Sequence, residues 1–245
     1  MFELIGRDEI RAIHVAAMEI LERVGVLIKH AEALKILEEA GATVDKKKEI
    51  AKIPEYLVRE ALSKTPSRDL LRARNPKYNI LIGDGNSYFT NAFGAHYTID
   101  LETGERRSAT VKDLDDFTLL SDYFPTVDYV KPNIMPQEIS QDVLQQEMAL
   151  SMFKNTEKHC SVLALTPEGF RDVIEMSKIY AGGEEEFIKN PSLIDTGFNN
   201  VPPLKYSEDI IDMVLECAKY GIPFDISTGA LASARGPVTL AGMVL

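Results

Sequence analysis

The segment Cys160-Ser161-Val162-Leu163-Ala164-Leu165-Thr166-Pro167 decides the predicted fold class. Its first six residues form a short, mostly apolar run of the length typical of a buried strand. Pro167 follows after one residue, and proline is favoured at the first position of a helix. Apolar residues beyond it recur at helical spacing as far as Ala181. The segment is therefore predicted to join one strand to one helix.

Three more strand–helix pairs are predicted around this one. The strands cover residues 127–130, 193–198 and 222–226, and the helices cover 141–154, 207–221 and the residues from 237 onward. Such alternation is typical of a parallel sheet, either in an open doubly wound fold or in a (β/α)8 barrel. The first of these strands is followed by neither GxGxxG nor another phosphate-binding loop, which favours the barrel. Four pairs are half of such a barrel.

The chain is predicted to have two parts, an entry region at residues 1–109 and the first half of a TIM-type barrel at 110–245. The entry region begins with amphipathic helices near 10–24, 30–40 and 54–64. Between 69 and 107, short strands separated by Asn, Gly and Pro indicate antiparallel hairpins. The predicted class is therefore α/β, the N-terminal part of a (β/α)8 barrel preceded by helices and a small antiparallel β region.

The last ten residues begin a helix at Pro237 and show no C-terminal cap, basic last turn or stop signal. Because a helix normally ends on such signals, we expect the chain to be the N-terminal part of a longer protein. A half-barrel leaves strand edges unpaired, so we also expect it to form homo-oligomers and to lack activity by itself.

Composition excludes several classes of function. The chain has 27 Lys and Arg against 38 Asp and Glu, a net charge of −11, which opposes bulk-charge binding to nucleic acid. It has no uncharged apolar run long enough to predict a membrane-spanning helix. Two cysteines are too few for a disulfide scaffold, and the start lacks the pattern of a signal peptide. We therefore expect a cytoplasmic protein without a nucleic-acid or membrane partner.

Metal and nucleophile motifs are missing from the sequence. The four histidines show no HxH or HExxH spacing and the cysteines no CxxC spacing, so no metal site is predicted. His159-Cys160 lies at the start of a predicted strand, the end of a barrel where residues serve stability, and is predicted to be structural. Lys131, at the end of the first predicted strand, is a candidate for a Schiff-base lysine.

Polar, uncharged residues follow the predicted strands at their carboxyl ends, where barrels keep their chemistry. They are Asn133, Thr166, Asn199, Asn200, Ser227 and Thr228. Such residues suit a substrate held by hydrogen bonds, although Asn and Thr are also ordinary loop and cap residues.

Several segments together resemble one known family. They are Arg7-Asp8-Glu9-Ile10, the run from Ala95 to Arg107, Pro202-Pro203-Leu204, and the run from Gly229 to Gly242. In this order they are similar to the trimethylamine methyltransferase family, in particular its branch without pyrrolysine, which includes glycine betaine methyltransferase. The resemblance covers essentially the whole chain.

This resemblance implies a (β/α)8 barrel that transfers a methyl group from a quaternary or tertiary amine to the cobalt of a separate corrinoid protein. It implies no directly bound cofactor, a small methylated amine as substrate and the corrinoid protein as partner. Family chains are about twice as long, and pyrrolysine, where present, lies in the later half. No position here matches the family's catalytic motif, so no catalytic residue is carried over.

The substrate-binding residues predicted for such an enzyme are His96, Tyr97, Asn133, Asn199, Asn200 and Thr228. Aromatic faces and amides can hold a quaternary ammonium group, whereas His96 or Asn199 would donate to a carboxylate tail. Two other functions stay open on the sequence: a Schiff-base aldolase that uses Lys131, and a non-catalytic half-barrel that serves binding or oligomerisation.

Overall fold

A computed structural model describes residues 5–200, 202–229 and 236–244. The helices found in these ranges are α1 Arg7–Arg23, α2 Ala31–Ala40, α3 Glu55–Lys64, α4 Val111–Tyr123, α5 Leu144–Asn155, α6 Pro167–Ala181, α7 Glu184–Lys189, α8 Glu208–Tyr220 and α9 Leu240–Val244. The strands are β1 Val26–Ile28, β2 Thr43–Asp45, β3 Ile50–Lys52, β4 Asp69–Leu71, β5 Ile80–Ile82, β6 Tyr97–Ile99, β7 Arg106–Ser108, β8 Tyr129–Val130, β9 His159–Val162, β10 Ile194–Asn200, β11 Lys205–Tyr206 and β12 Phe224–Thr228. Residues 230–235, within the last segment of the resemblance, lie outside the described residues.

One compact unit contains the chain up to Pro66, Asn199–Ile211 and the chain from Ile226 onward. Its sheet has the order β11-β1-β3-β2, with β1 parallel to β11 and antiparallel to β3. Apolar residues of β1, β3 and α2 form its core. The three predicted helices are confirmed as α1, α2 and α3, but the small sheet was not predicted. Its strands are two or three residues long, too short for a period-two signal.

Helix α2 ends at Gly41, which adopts a left-handed conformation with φ 111°. This region favours glycine because a side chain would clash with the backbone. A Cβ atom at Gly41 would also collide with the hydroxyl of Tyr56. Gly182 ends α6 in the same way, with φ 95°, but no described atom lies within 4 Å of a Cβ built there.

The second compact unit contains Ser67–Phe198 and Asp212–Asp225. Its main sheet has the order β12-β10-β9-β8, in which β8, β9 and β10 are parallel. Strand–helix alternation therefore occurs as predicted, and the protein has a mixed α/β fold with a parallel sheet. The closed barrel and the division at residue 109 stay predictions. The hairpins β4–β5 and β6–β7 are antiparallel, as the turn pattern indicates.

Strand ends differ from the prediction. Strand β10 continues through Asn199 and Asn200, and β12 continues through Ser227 and Thr228, so these residues lie within strands rather than beyond them. Their side chains form hydrogen bonds across the two strands, Ser227 with Asn199 and Thr228 with Asn200. The prediction was wrong because it ended each strand where the apolar run ended.

Helix α4 begins with a capping box. The Thr110 side chain accepts a hydrogen bond from the backbone of Asp113, and the Asp113 carboxylate accepts one from the backbone of Thr110 at 2.9 Å. Arg107 adds a two-pronged ion pair with the same carboxylate. These hydrogen bonds hold the pKa of Asp113 well below its usual range, and the hydrogen bond from Arg107 has the largest effect.

The carboxyl end of α4 is closed by a buried lysine. Lys158 is 2% exposed, and its ammonium group donates to the carbonyl oxygens of Ser121 and Phe124, both at 2.8 Å. The last carbonyl groups of a helix have no partner within the helix, so a cation there satisfies them. Burial lowers the pKa of Lys158.

Candidate functional site

One face of the β8–β9–β10 sheet carries polar and ionisable side chains. Tyr129 is the register partner of His159, and Asp195 is the partner of Ser161. Since His159 and Ser161 are two residues apart on β9, their side chains leave the same face of the sheet. Tyr129, His159 and Asp195 therefore share a face, which we call the polar sheet face.

The opposite face is apolar and packs on helices. Val130, Cys160, Val162, Ile194 and Phe198 are all buried there. The ring of Phe198 meets that of Phe170, on α6, edge to face with centroids 6.4 Å apart. Burial raises the pKa of the Cys160 thiol to about 12, so this cysteine is protonated at neutral pH and acts as a small core residue. The helices thus cover one face and leave the polar sheet face on the other.

Asp225 of β12 joins the polar sheet face beside Gly197. A Cβ atom built on Gly197 would lie 2.8 Å from the Asp225 Oδ1 atom. Because Gly197 and Asp195 are two residues apart on β10, this contact places the Asp225 carboxylate on the face of Asp195. Gly197 leaves the room that this carboxylate occupies.

His159 is fully buried, and its orientation is set by the main chain. Its Nδ1 atom lies 2.8 Å from the carbonyl oxygen of Arg72, which can only accept, so Nδ1 carries the proton of this hydrogen bond. Its Nε2 atom lies 3.5 Å from Asp195 Oδ1. Neither of these two buried atoms has a hydrogen-bond partner in the described part of the chain. Nε2 and Oδ1 therefore face each other in the buried part of the polar sheet face.

The charges of this face act on Tyr129. Burial raises the pKa of its phenol, and the negative charges of Asp195 and Asp225 raise it further by a smaller amount. The phenol is therefore neutral at physiological pH. Lys131 places its ammonium nitrogen 5.7 Å from the centroid of the same ring. The face thus combines two carboxylates, one ammonium group, one aromatic ring and one buried imidazole.

Two of the predicted substrate-binding residues lie in or beside the hairpin β6–β7 and are exposed. His96 accepts a hydrogen bond from the amide of Gln137 at 2.9 Å. Tyr97 is 50% exposed, and the guanidinium carbon of Arg106 lies 3.7 Å from its ring centroid. One face of this ring is therefore already in contact with a cation of the chain itself.

Asn133, after β8, is buried at 8% exposure. Its backbone carbonyl accepts a hydrogen bond from the backbone of Ala95 at 2.8 Å, which brings it close to the start of the His96 segment. Its side-chain Oδ1 has no hydrogen-bond partner among residues 5–200, 202–229 and 236–244. This oxygen is an unused acceptor at the carboxyl end of a strand.

The structure pairs the remaining predicted residues across β10 and β12. Ser227 donates to Asn199 at 2.6 Å, and Thr228 donates to Asn200. Asn199 and Asn200 are consecutive, so their side chains leave opposite faces of β10. By the same alternation, Asn200 shares the face of Phe198 and Asn199 shares the face of Gly197.

The sequence reasoning missed Tyr129, Asp195, Gly197 and Asp225. A signal was present, because each aspartate interrupts an otherwise apolar strand run at one position of the period-two alternation. Charged residues are seldom placed in buried strands without a partner. His159 was predicted to be structural, and its hydrogen bond to the main chain does fix its ring, but it also points at Asp195.

Two features are absent from the described residues. No group of three or more His, Cys, Asp or Glu side chains in these ranges is arranged to hold a metal ion. No helix in the same part of the chain has the length and apolar character needed to cross a membrane.

Comparison with known proteins identifies the family. The trimethylamine methyltransferase (MTTB) family matches residues 1–245, the whole chain. The chain belongs to the trimethylamine methyltransferase family. It is 33% identical to trimethylamine methyltransferase MttB of Desulfitobacterium hafniense over 238 residues, which are 97% of this chain and 48% of that protein. It is 31% identical to MttB of Methanosarcina barkeri over 99% of this chain and 50% of the relative.

Another member of the trimethylamine methyltransferase family with a different named substrate is almost as similar. Glycine betaine methyltransferase of Desulfitobacterium hafniense is 28% identical over 98% of this chain and 50% of its own length. Identities near 30% to both kinds of protein do not separate a trimethylamine branch from a glycine betaine branch. The chain spans about half the length of the curated relatives that it matches.

Proposed function

We propose that the protein is a corrinoid-dependent methyltransferase that takes a methyl group from a quaternary or tertiary amine of the glycine betaine kind. The observation that carries the proposal is the family match over all 245 residues. The parallel sheet with alternating helices agrees with a (β/α)8 barrel, which we propose as the complete fold. The cobalt acceptor would be brought by a separate corrinoid protein.

The reaction transfers a methyl cation equivalent. With a quaternary substrate, the N–CH3 bond would break, the nitrogen would keep that electron pair and leave as a neutral tertiary amine, and Co(I) of the corrinoid would supply the electron pair of the new Co–CH3 bond. A tertiary amine would react as its protonated ammonium ion and leave as a neutral secondary amine. The protein has no proton to move when the substrate is a quaternary amine. Its tasks are to hold a cation and to align one N–CH3 bond with the metal, which are tasks of positioning and electrostatics.

Residues of this chain offer parts of such a site. The carboxylates of the polar sheet face suit a cationic substrate, whereas His96 and Asn199 would donate to a carboxylate tail. The unused Oδ1 of Asn133 lies at the end of β8, where a barrel places its chemistry. We therefore propose as substrate-binding residues His96, Tyr97, Asn133, Asn199, Asn200 and Thr228. The side chains of Asn199 and Asn200 leave opposite faces of β10, and any placement of the substrate has to account for this.

The test is a methyl-transfer assay with the whole protein that contains these 245 residues and a purified Co(I) corrinoid protein. Glycine betaine and trimethylamine are offered separately, and methylation of cobalt is followed by its absorbance. We expect glycine betaine to be demethylated, and we expect the 245-residue chain alone to be inactive. Absence of methyl transfer from every methylated amine would remove the proposal. Trapping of a carbonyl substrate on Lys131 by borohydride would favour an aldolase instead.

A further inference from the structure

The polar sheet face has an excess of negative charge. Asp195 and Asp225 contribute two negative charges, and Lys131, near the Tyr129 ring, contributes one positive charge. His159 is fully buried and points Nε2 at Asp195 Oδ1 from 3.5 Å, and neither atom has a hydrogen-bond partner in the described ranges. Buried polar atoms without partners are rare in folded proteins because each costs free energy. The group therefore sets two carboxylates against one ammonium group.

The geometry shows where a cation would approach. The Asp195 side chain is 18% exposed while its Oδ1 atom is buried against His159, so its accessible part is the remainder of the side chain. Asp225 is exposed, and Tyr129 is half-buried. An aromatic face attracts a quaternary ammonium group without needing a hydrogen bond, and carboxylates within the same face add charge attraction. A metal ion would need more ligands than the described part of this face arranges.

We propose that Asp195, Asp225 and Tyr129 form a subsite for one monovalent organic cation, the methylated ammonium group of the substrate, and that His159 positions Asp195 within it. This inference rests on the proposed function for the identity of the ligand. Gly197 adjoins the subsite, because a Cβ atom there would lie 2.8 Å from Asp225 Oδ1 and would shift the carboxylate.

The test measures equilibrium binding by calorimetry to the whole protein, without any corrinoid partner. Choline is the probe, and 3,3-dimethyl-1-butanol, which replaces its nitrogen by carbon, is the neutral control. We expect choline to bind at least tenfold more tightly. Asp195→Asn and Asp225→Asn should each weaken choline binding about tenfold. The matched control Glu185→Gln changes the same charge at an exposed position of α7 and should leave binding unchanged.

Two further variants separate local geometry from bulk charge. Gly197→Ala keeps the net charge but displaces the Asp225 carboxylate, so we expect it to weaken choline binding at least fivefold. His159→Gln should weaken choline binding and leave binding of the neutral alcohol unchanged, because a positioning residue acts only through Asp195. Equal binding of choline and the alcohol, equal binding by wild type and the Asp195 and Asp225 variants, or displacement of choline by K⁺ at constant ionic strength would each overturn the subsite.

The outcomes distinguish this inference from the proposed function. If choline binds through Asp195 and Asp225 but no amine donates a methyl group to cobalt, the subsite stands and the methyltransferase function fails. If methyl transfer occurs and the Asp195 and Asp225 variants keep both KM and kcat, the function stands and the subsite is wrong.

Discussion

Replacing Lys158 by methionine is expected to destabilise the protein by about 3 kcal/mol. Its ammonium group donates two hydrogen bonds of 2.8 Å to the last carbonyl groups of α4, and methionine keeps the apolar stem while removing every donor. Hydrogen bonds with a charged group contribute about 1.5–3 kcal/mol each, so two give about 3–6 kcal/mol. Burial lowers the pKa of Lys158, which shows that the charged form loses hydration, and we therefore take the lower value.

The assay is urea unfolding of Lys158→Met and of Lys154→Met, the same substitution at an exposed lysine four residues earlier. The control should change the free energy of unfolding by less than about 0.5 kcal/mol. The pH dependence gives a second readout. Between the lowered folded pKa of Lys158 and its unfolded value near 10.4, the unfolded chain binds more protons, so the stability of wild type relative to Lys158→Met rises with pH. Equal stabilities of the two variants, or a difference that falls with pH, would refute this account.

Three other predictions concern a helix start, a helix end and the proposed substrate site. Thr110→Ala removes the cap of α4 and should lower the free energy of unfolding by about 1 kcal/mol in urea denaturation; an unchanged midpoint would contradict this. Gly41→Ala should destabilise the protein more than Gly182→Ala. Both glycines have a positive φ, but only a Cβ atom at Gly41 would collide with a tyrosine hydroxyl. Equal melting temperatures of the two variants would exclude this steric explanation. Asn199→Ala should raise KM for the amine several-fold, because its amide is proposed to donate to the carboxylate tail. An unchanged KM would remove Asn199 from the proposed site.

Local signals in the sequence predicted the helices well. The proline that opens α6 marks that helix in the sequence. The glycine after α2 and the capping box of α4 act in the same local way, through the backbone of their own turn. The strand–helix alternation likewise predicted the parallel sheet, because a parallel crossover needs a helix of sufficient length.

The small sheet of the first unit could not be predicted in this way. Its strand β1 pairs with β11, with Leu27 opposite Lys205, 178 residues further along the chain. Each strand is too short to show alternation, and the pairing becomes favourable only when distant segments meet. Propensity within a short window contains no information about such a partner.

The candidate site was missed for a related reason. Polar residues were sought beyond the strands because barrels keep chemistry there, while Asp195 and Asp225 lie within strands and were counted as ordinary members of apolar runs. Their importance depends on register, which places Asp195 beside the buried Nε2 of His159. Register is set when two strands pair. The hydrophobic pattern of a single strand indicates only which of its two faces is buried.

The polar sheet face also differs from what stability alone would favour. A sheet covered by helices on one side is most stable when its other side either contacts water or is filled with apolar side chains. Here a fully buried imidazole and a mostly buried carboxylate face each other 3.5 Å apart, and neither facing atom has a hydrogen-bond partner among the described residues. Buried polar groups without partners lower stability, so natural sequences retain them mainly where function requires them. We connect the stability cost of this face with recognition of a cationic methyl donor, whose positive charge would be attracted by the accessible part of Asp195 and by Asp225.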